Sequence, residues 1–180
     1  MLRVALVLVL LGAVLTGAGC GGGGSSSESS AEDWASGFCS ALTTWTASVK
    51  SAGTSLQGNA TESGLNSAAG DIKSASETLV GDLKDLGKPD TKAGQEAKDA
   101  IDQLSKEVEQ DVEEMQSAVD KVSGAQGVVT AATSVAATLS KMGTQIGSAA
   151  SKLDSADPDG ELKQAFRDSS ACKKLTSSSS

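Results

Sequence analysis

The sequence contains no histidine and no tyrosine, and only four aromatic residues, Trp34, Phe38, Trp45 and Phe166. Without histidine there is no His-based catalytic triad and no imidazole metal ligand, which removes most hydrolase and transition-metal chemistry. Carboxylate metal sites remain open to a helical protein. Di-iron bundles, however, use Glu-x-x-His pairs that this chain cannot make, and its carboxylates fall mainly at surface positions of a helical repeat. The acidic stretch Ser155-Ala156-Asp157-Pro158-Asp159-Gly160 resembles the start of an EF-hand loop only in part. Its first position is Ser155 and its twelfth is Phe166, where a bidentate Glu is required. Gly21 to Gly24 lead into serines rather than into a helix carrying lysine, so no phosphate cradle is formed there. No catalytic residue, metal ligand or cofactor is expected. Basic charge is also scarce, with 15 Lys plus Arg against 23 Asp plus Glu. A chain this acidic is repelled by nucleic acid and by anionic lipid headgroups, which excludes nucleic acid as a partner.

Beyond residue 19 there is no segment apolar enough to span a membrane. What precedes it has a different logic. Arg3 is followed by an apolar run from Val4 to Leu15, then by Gly17, Ala18 and Gly19 directly before Cys20. This charged, apolar and small-residue order is that of a secretory signal peptide. From Val4 to Gly19 the run has 16 residues, short of the roughly 20 that cross a bilayer as a helix. Removing residues 1–19 takes away Arg3 and leaves 14 basic against 23 acidic side chains, a net charge of −9.

The stretch Leu15-Thr16-Gly17-Ala18-Gly19-Cys20 resembles the lipobox of bacterial lipoproteins. That resemblance implies that Cys20 becomes the new N-terminus and carries a lipid on its thiol. Small residues at 17 and 19 also suit ordinary signal peptidase, so a free secreted protein is the alternative. Gly21 to Ser30 reads GGGGSSSESS, a flexible spacer with a random-coil reach of about 18 Å. Such a spacer is useful when its start is fixed to a surface.

From Ala31 onward apolar positions recur at steps of three and four, the mark of helices packed along a seam. Four runs appear: Trp34 to Leu56, Leu65 to Leu86, Ala93 to Val122 and Val128 to Leu153. The second run includes one polar member, Ser76. Breaks are expected at Gly58-Asn59, at Gly87-Lys88-Pro89-Asp90 and at Ser123 to Gly127. Asp90 or Thr91 is expected to cap the third helix, which would run from about Asp90 to Val122 and reach roughly 50 Å. Asp157 is expected to cap a short fifth helix with Pro158 at its first position, carrying Leu162, Phe166, Cys172 and Leu175. The connections are short, so neighbouring helices run antiparallel. The expected architecture is all-α: an antiparallel up-down four-helix bundle with a short fifth C-terminal helix and one disulfide. Its parts are a signal peptide over 1–19, the lipidated Cys20 and tether over 20–31, the bundle over 32–175 and a disordered tail over 176–180.

With Cys20 assigned to lipid, Cys39 and Cys172 form an even pair in an oxidising compartment. The start of the first helix and the end of the fourth share a pole of the bundle, so topology and a Cys39–Cys172 bridge predict each other. Trp34, Phe38 and Phe166 should gather at that pole as a hydrophobic plug, the alternative being Trp34 exposed in a lipid interface. Lys106, Glu107, Glu109, Gln110, Glu113 and Glu114 form a charge run, read as a solvated face or as a docking strip for a basic partner. Gly81, Gly143 and Gly147 lie inside helical runs and mark either close helix approach or looser segments. Asn59-Ala60-Thr61 spells a glycosylation sequon that is read as chance.

The leader ending in Cys20, the Gly/Ser spacer, the phrase Trp34-Ala35-Ser36-Gly37-Phe38-Cys39, the Pro89-Asp90-Thr91 turn and the Phe166 to Cys172 segment together carry a second likeness. The layout resembles the small helical lipoproteins of bacterial cell envelopes. It implies a protein anchored by lipid on the extracytoplasmic face of the cell membrane, acting as a non-enzymatic interaction or structural module toward an envelope protein or cell-wall polymer. The alternative is a helical bundle that binds a small apolar molecule. A packed seam favours the first, and an aliphatic-lined space the second.

Overall fold

A computed structural model describes residues 29–157 and 160–178. The expected leader, Cys20 and the expected tether up to residue 28, with Pro158, Asp159 and the last two residues, lie outside the described residues. Among the described residues the chain forms six helices and no strand: α1 (Ala31–Gly58), α2 (Glu62–Asp85), α3 (Gly94–Val119), α4 (Gly124–Ala156), α5 (Glu161–Asp168) and α6 (Ser170–Ser178). None of them is long and apolar enough to cross a membrane.

Local chemistry explains the boundaries. The Ser30 hydroxyl accepts from the Asp33 backbone N–H at 3.1 Å and opens α1. The Thr61 hydroxyl does the same for α2, accepting from Gly64 N–H at 3.1 Å. The sequon spelling thus belongs to a helix–helix junction, with Asn59 closing α1 and Thr61 opening α2. Gly87 adopts φ +61° after α2, a left-handed conformation that glycine takes without steric cost.

Several expectations are corrected. The third helix begins at Gly94, not near Asp90, and no side chain caps it. The N–H of Thr91 bonds back to the Pro89 carbonyl at 2.9 Å, and that of Gly94 to the Thr91 carbonyl at 3.0 Å. Tight turns thereby occupy residues that would have made the first helical turn. At 26 residues α3 spans about 39 Å, and α4, with 33 residues, is the longer rod at about 50 Å. The expected single fifth helix is two short ones, because Ser169 adopts ψ 125° between them. Gly160 rather than Asp157 stands at the cap of the first of these and α5 starts at Glu161 rather than at Pro158, although the Asp157 carboxylate accepts from Leu162 N–H at 2.8 Å. Finally, α6 continues to Ser178, past the expected start of a tail at Thr176.

Most seam positions read from the sequence are buried. Trp34, Phe38, Leu42 and Trp45 of α1 pack with Leu79 and Leu83 of α2 and Ile101, Leu104 and Val108 of α3 in one cluster. A second cluster at the other end joins Ala52, Leu65, Ala69, Ile72, Met115, Val119 and Val135. Ser76 is buried on this seam because its hydroxyl accepts from the Trp45 indole N–H at 3.0 Å. The indole needs a partner once it is out of water.

Neighbouring helices pack in sequence order, α1 on α2, α2 on α3 and α3 on α4. The fourth side of the bundle is different. Helices α1 and α4 have scarcely any close backbone approach, and α5 and α6 lie against α1 rather than α4. On the seam of α4, Ala132, Leu139 and Ile146 accordingly stay half-buried.

Candidate binding groove

The pole where the described chain starts is tied by several groups. Asp90 N–H bonds to the Ser29 carbonyl at 2.8 Å, and the Trp34 indole N–H bonds to the Gly87 carbonyl at 3.2 Å. Cys39 and Cys172 form a disulfide across 133 residues of sequence, with their Cα atoms 4.9 Å apart. Trp34 and Phe38 stack with ring centroids 5.9 Å apart. Phe166 stands edge-on to both, at 6.1 and 5.7 Å. The expected plug forms, and Trp34 is fully buried within it. The alternative of Trp34 lying in a lipid interface is therefore overturned, because the indole has no exposed surface to offer.

Beside this plug, the gap between α1 and α4 opens as a groove of about 530 Å³, within the roughly 300–1,000 Å³ typical of small-ligand sites. Phe38, Leu42 and the disulfide line it from α1 and α6, Ile146, Gly147 and Ala150 from α4, and Phe166 and Leu175 from the C-terminal helices. A Cβ built on Gly147 meets no atom within 4 Å, and the same holds at Gly81 and Gly143. These glycines do not serve close helix approach. At position 147 the missing side chain leaves the groove unfilled.

Among the described residues that line it, the rim is cationic: Lys163, Arg167 and Lys173 stand with one carboxylate, Asp154. Lys163 pairs with Asp154 at 3.1 Å, and Lys173 donates to the Asp168 carbonyl at 3.0 Å. Arg167 is exposed and enters no hydrogen bond or ion pair with the described residues. This local excess of positive charge runs against the net charge of the whole chain. The clefts between α1 and α2 and between α3 and α4 are of comparable size, but small and polar side chains such as Thr44, Ser48, Gln103 and Ser148 line them.

One buried charge escaped the sequence reading. Asp111 is fully buried between α3 and α4. Lys141 places its ammonium 2.6 Å from Asp111 Oδ1 and 3.2 Å from Glu114. The angular geometry of a hydrogen bond is not met at Oδ1, and Oδ2 has no partner. The 2.6 Å approach is a close ion pair with poor hydrogen-bond angles. The Asp111 carboxylate, with Glu114 second, holds the Lys141 ammonium above the ordinary lysine pKa. Among the described residues no three His, Cys, Asp or Glu side chains gather where they could share a metal ion.

Of the residues singled out from sequence, the structure joins Cys39 and Cys172 and gathers Trp34, Phe38 and Phe166 beside them, while Cys20 lies outside the described residues. Lys106, Glu109, Gln110, Glu113 and Glu114 are exposed along α3, and Glu107 is half-buried. The groove itself was missed. Its one signal in the sequence was the pair of small residues Gly147 and Ala150, three apart on one helix, beside Ile146. No family model, curated protein or solved structure matches the chain.

Proposed function

We propose that this chain is a non-enzymatic binding module, held by a lipid on Cys20 at the extracytoplasmic face of the cell membrane and turned toward an envelope protein or cell-wall polymer. The observation that carries the reading is the distribution of side chains. The seam is filled by two aliphatic and aromatic clusters, while α3 presents a long charged face to solvent. Such a body is a rigid display element, and its polar helical faces are the surface on offer. The leader, the lipobox-like stretch and the spacer support the anchor. A disulfide supports an oxidising compartment outside the cytoplasm.

The intact mass of the membrane-extracted protein, before and after reduction and thiol alkylation, tests this. The expected mass is that of a chain beginning at lipid-modified Cys20 with no thiol alkylated until reduction. A mass fitting an unlipidated chain returns the reading to a free secreted protein. The second reading, binding of a small apolar molecule, gains support from the α1–α4 groove rather than from the seam.

A further inference from the structure

The groove combines three features that are separate in origin. Its walls are apolar and include aromatic, aliphatic and disulfide surface from α1, α4 and α6. Its α4 wall includes Gly147, where a side chain would project into open space. Among the described residues its rim sets three cations against one carboxylate, in a chain that is acidic as a whole. An apolar trough alone would suit any hydrophobic molecule. The rim narrows the choice to an amphiphile whose head is negative.

Two of the three cations are already engaged, Lys163 with Asp154 and Lys173 with a backbone carbonyl. The guanidinium of Arg167 remains, a planar fork that matches one carboxylate through two parallel hydrogen bonds. We propose that the α1–α4 groove binds a long-chain fatty acid, its alkyl chain lying against Phe38, Leu42, Ile146 and Leu175 and its carboxylate held by Arg167. Lys163 and Lys173, engaged as they are, add only longer-range attraction, screened by salt because they sit at the surface. This inference stands on the groove and is independent of how the chain is anchored.

The test uses the oxidised full chain carrying Cys20→Ser, which has no acyl chain of its own, titrated with carboxyl-labelled palmitate and, in parallel, with hexadecanol. Palmitate is expected to bind with one equivalent, and Arg167→Gln to weaken it about tenfold or more while leaving hexadecanol unchanged. Gly147→Leu should abolish binding of both. It fills the trough and replaces a helix-interior glycine, so its thermal midpoint should not fall, which separates loss of the site from loss of the fold. Palmitate binding that survives Gly147→Leu, hexadecanol binding as tightly as palmitate, or no binding to the Cys20→Ser chain would each overturn the proposal. A groove covered instead by a second copy of the chain would appear as dimerisation that palmitate does not relieve, and would overturn it as well.

Discussion

Lys141 on α4 sets its ammonium 2.6 Å from Oδ1 of Asp111 on α3, joining a half-exposed cation to a carboxylate whose side chain is only 1% exposed. Burying a carboxylate is costly, and one surface lysine offsets that cost only in part. Removing the lysine alone leaves the charge stranded. Lys141→Met is therefore expected to lower the thermal midpoint, and the double variant Asp111→Leu with Lys141→Met to recover it, as measured by thermal denaturation near neutral pH.

The same pair gives a pH dependence. Because the folded state holds the Lys141 pKa above its ordinary 10.5, the contribution is fully present below that value and is lost as pH rises through the raised one. Stability of the wild-type chain should fall in that alkaline window. The Lys141→Met variant should lack this component, which a pH series of denaturation midpoints would read.

Reduction acts on the pole where α1 meets the C-terminal helices. The Cys39–Cys172 bridge closes a loop of 133 residues, worth about 5 kcal/mol in the chain-entropy account. Urea unfolding with and without reductant should differ by roughly this amount. Amide exchange in the reduced protein should rise first in α5 and α6, which are tied to α1 by that bond. Equal exchange across all helices after reduction would contradict the expectation.

Trp45 and Ser76 form a buried unit through their 3.0 Å hydrogen bond. Ser76→Ala strands the indole N–H and should cost about 1–3 kcal/mol. In a Trp45→Phe background the same change should cost much less, because no donor is left unpaired. A four-member denaturation cycle measures the difference.

Glycines of opposite meaning give a further check. Gly81→Ala and Gly143→Ala add a Cβ into open space and should stabilise by up to about 1 kcal/mol each. Gly94→Ala should destabilise, since its Cβ would stand 2.2 Å from the Pro89 carbonyl oxygen.

The period of apolar residues was enough to place the four long helices, and the expected up-down topology, with Cys20 set aside, was enough to pair Cys39 with Cys172. Both rest on spacing and counting along the chain, which survive without coordinates. The failures have a common physical source. Asp111 falls four residues before Met115 and three after Val108, a seam spacing, yet its chemistry says surface, and only the approach of Lys141 from another helix makes burial tolerable. Asp90 and Thr91 have the chemistry of caps, but a backbone turn returning to Pro89 outcompeted them. The break at Ser169 likewise has no strong local breaker.

What the sequence determined by itself is the helical class and the division into polar and apolar faces, because these follow from residue type and spacing along one chain. Only the tertiary structure decided that α4 leans on α3 and leaves α1, that the C-terminal segment bends twice to close on Cys39, and that a trough with a cationic rim remains between them. Each of these depends on how far apart two helices settle, a distance set by the summed packing of many side chains and carried by no single residue.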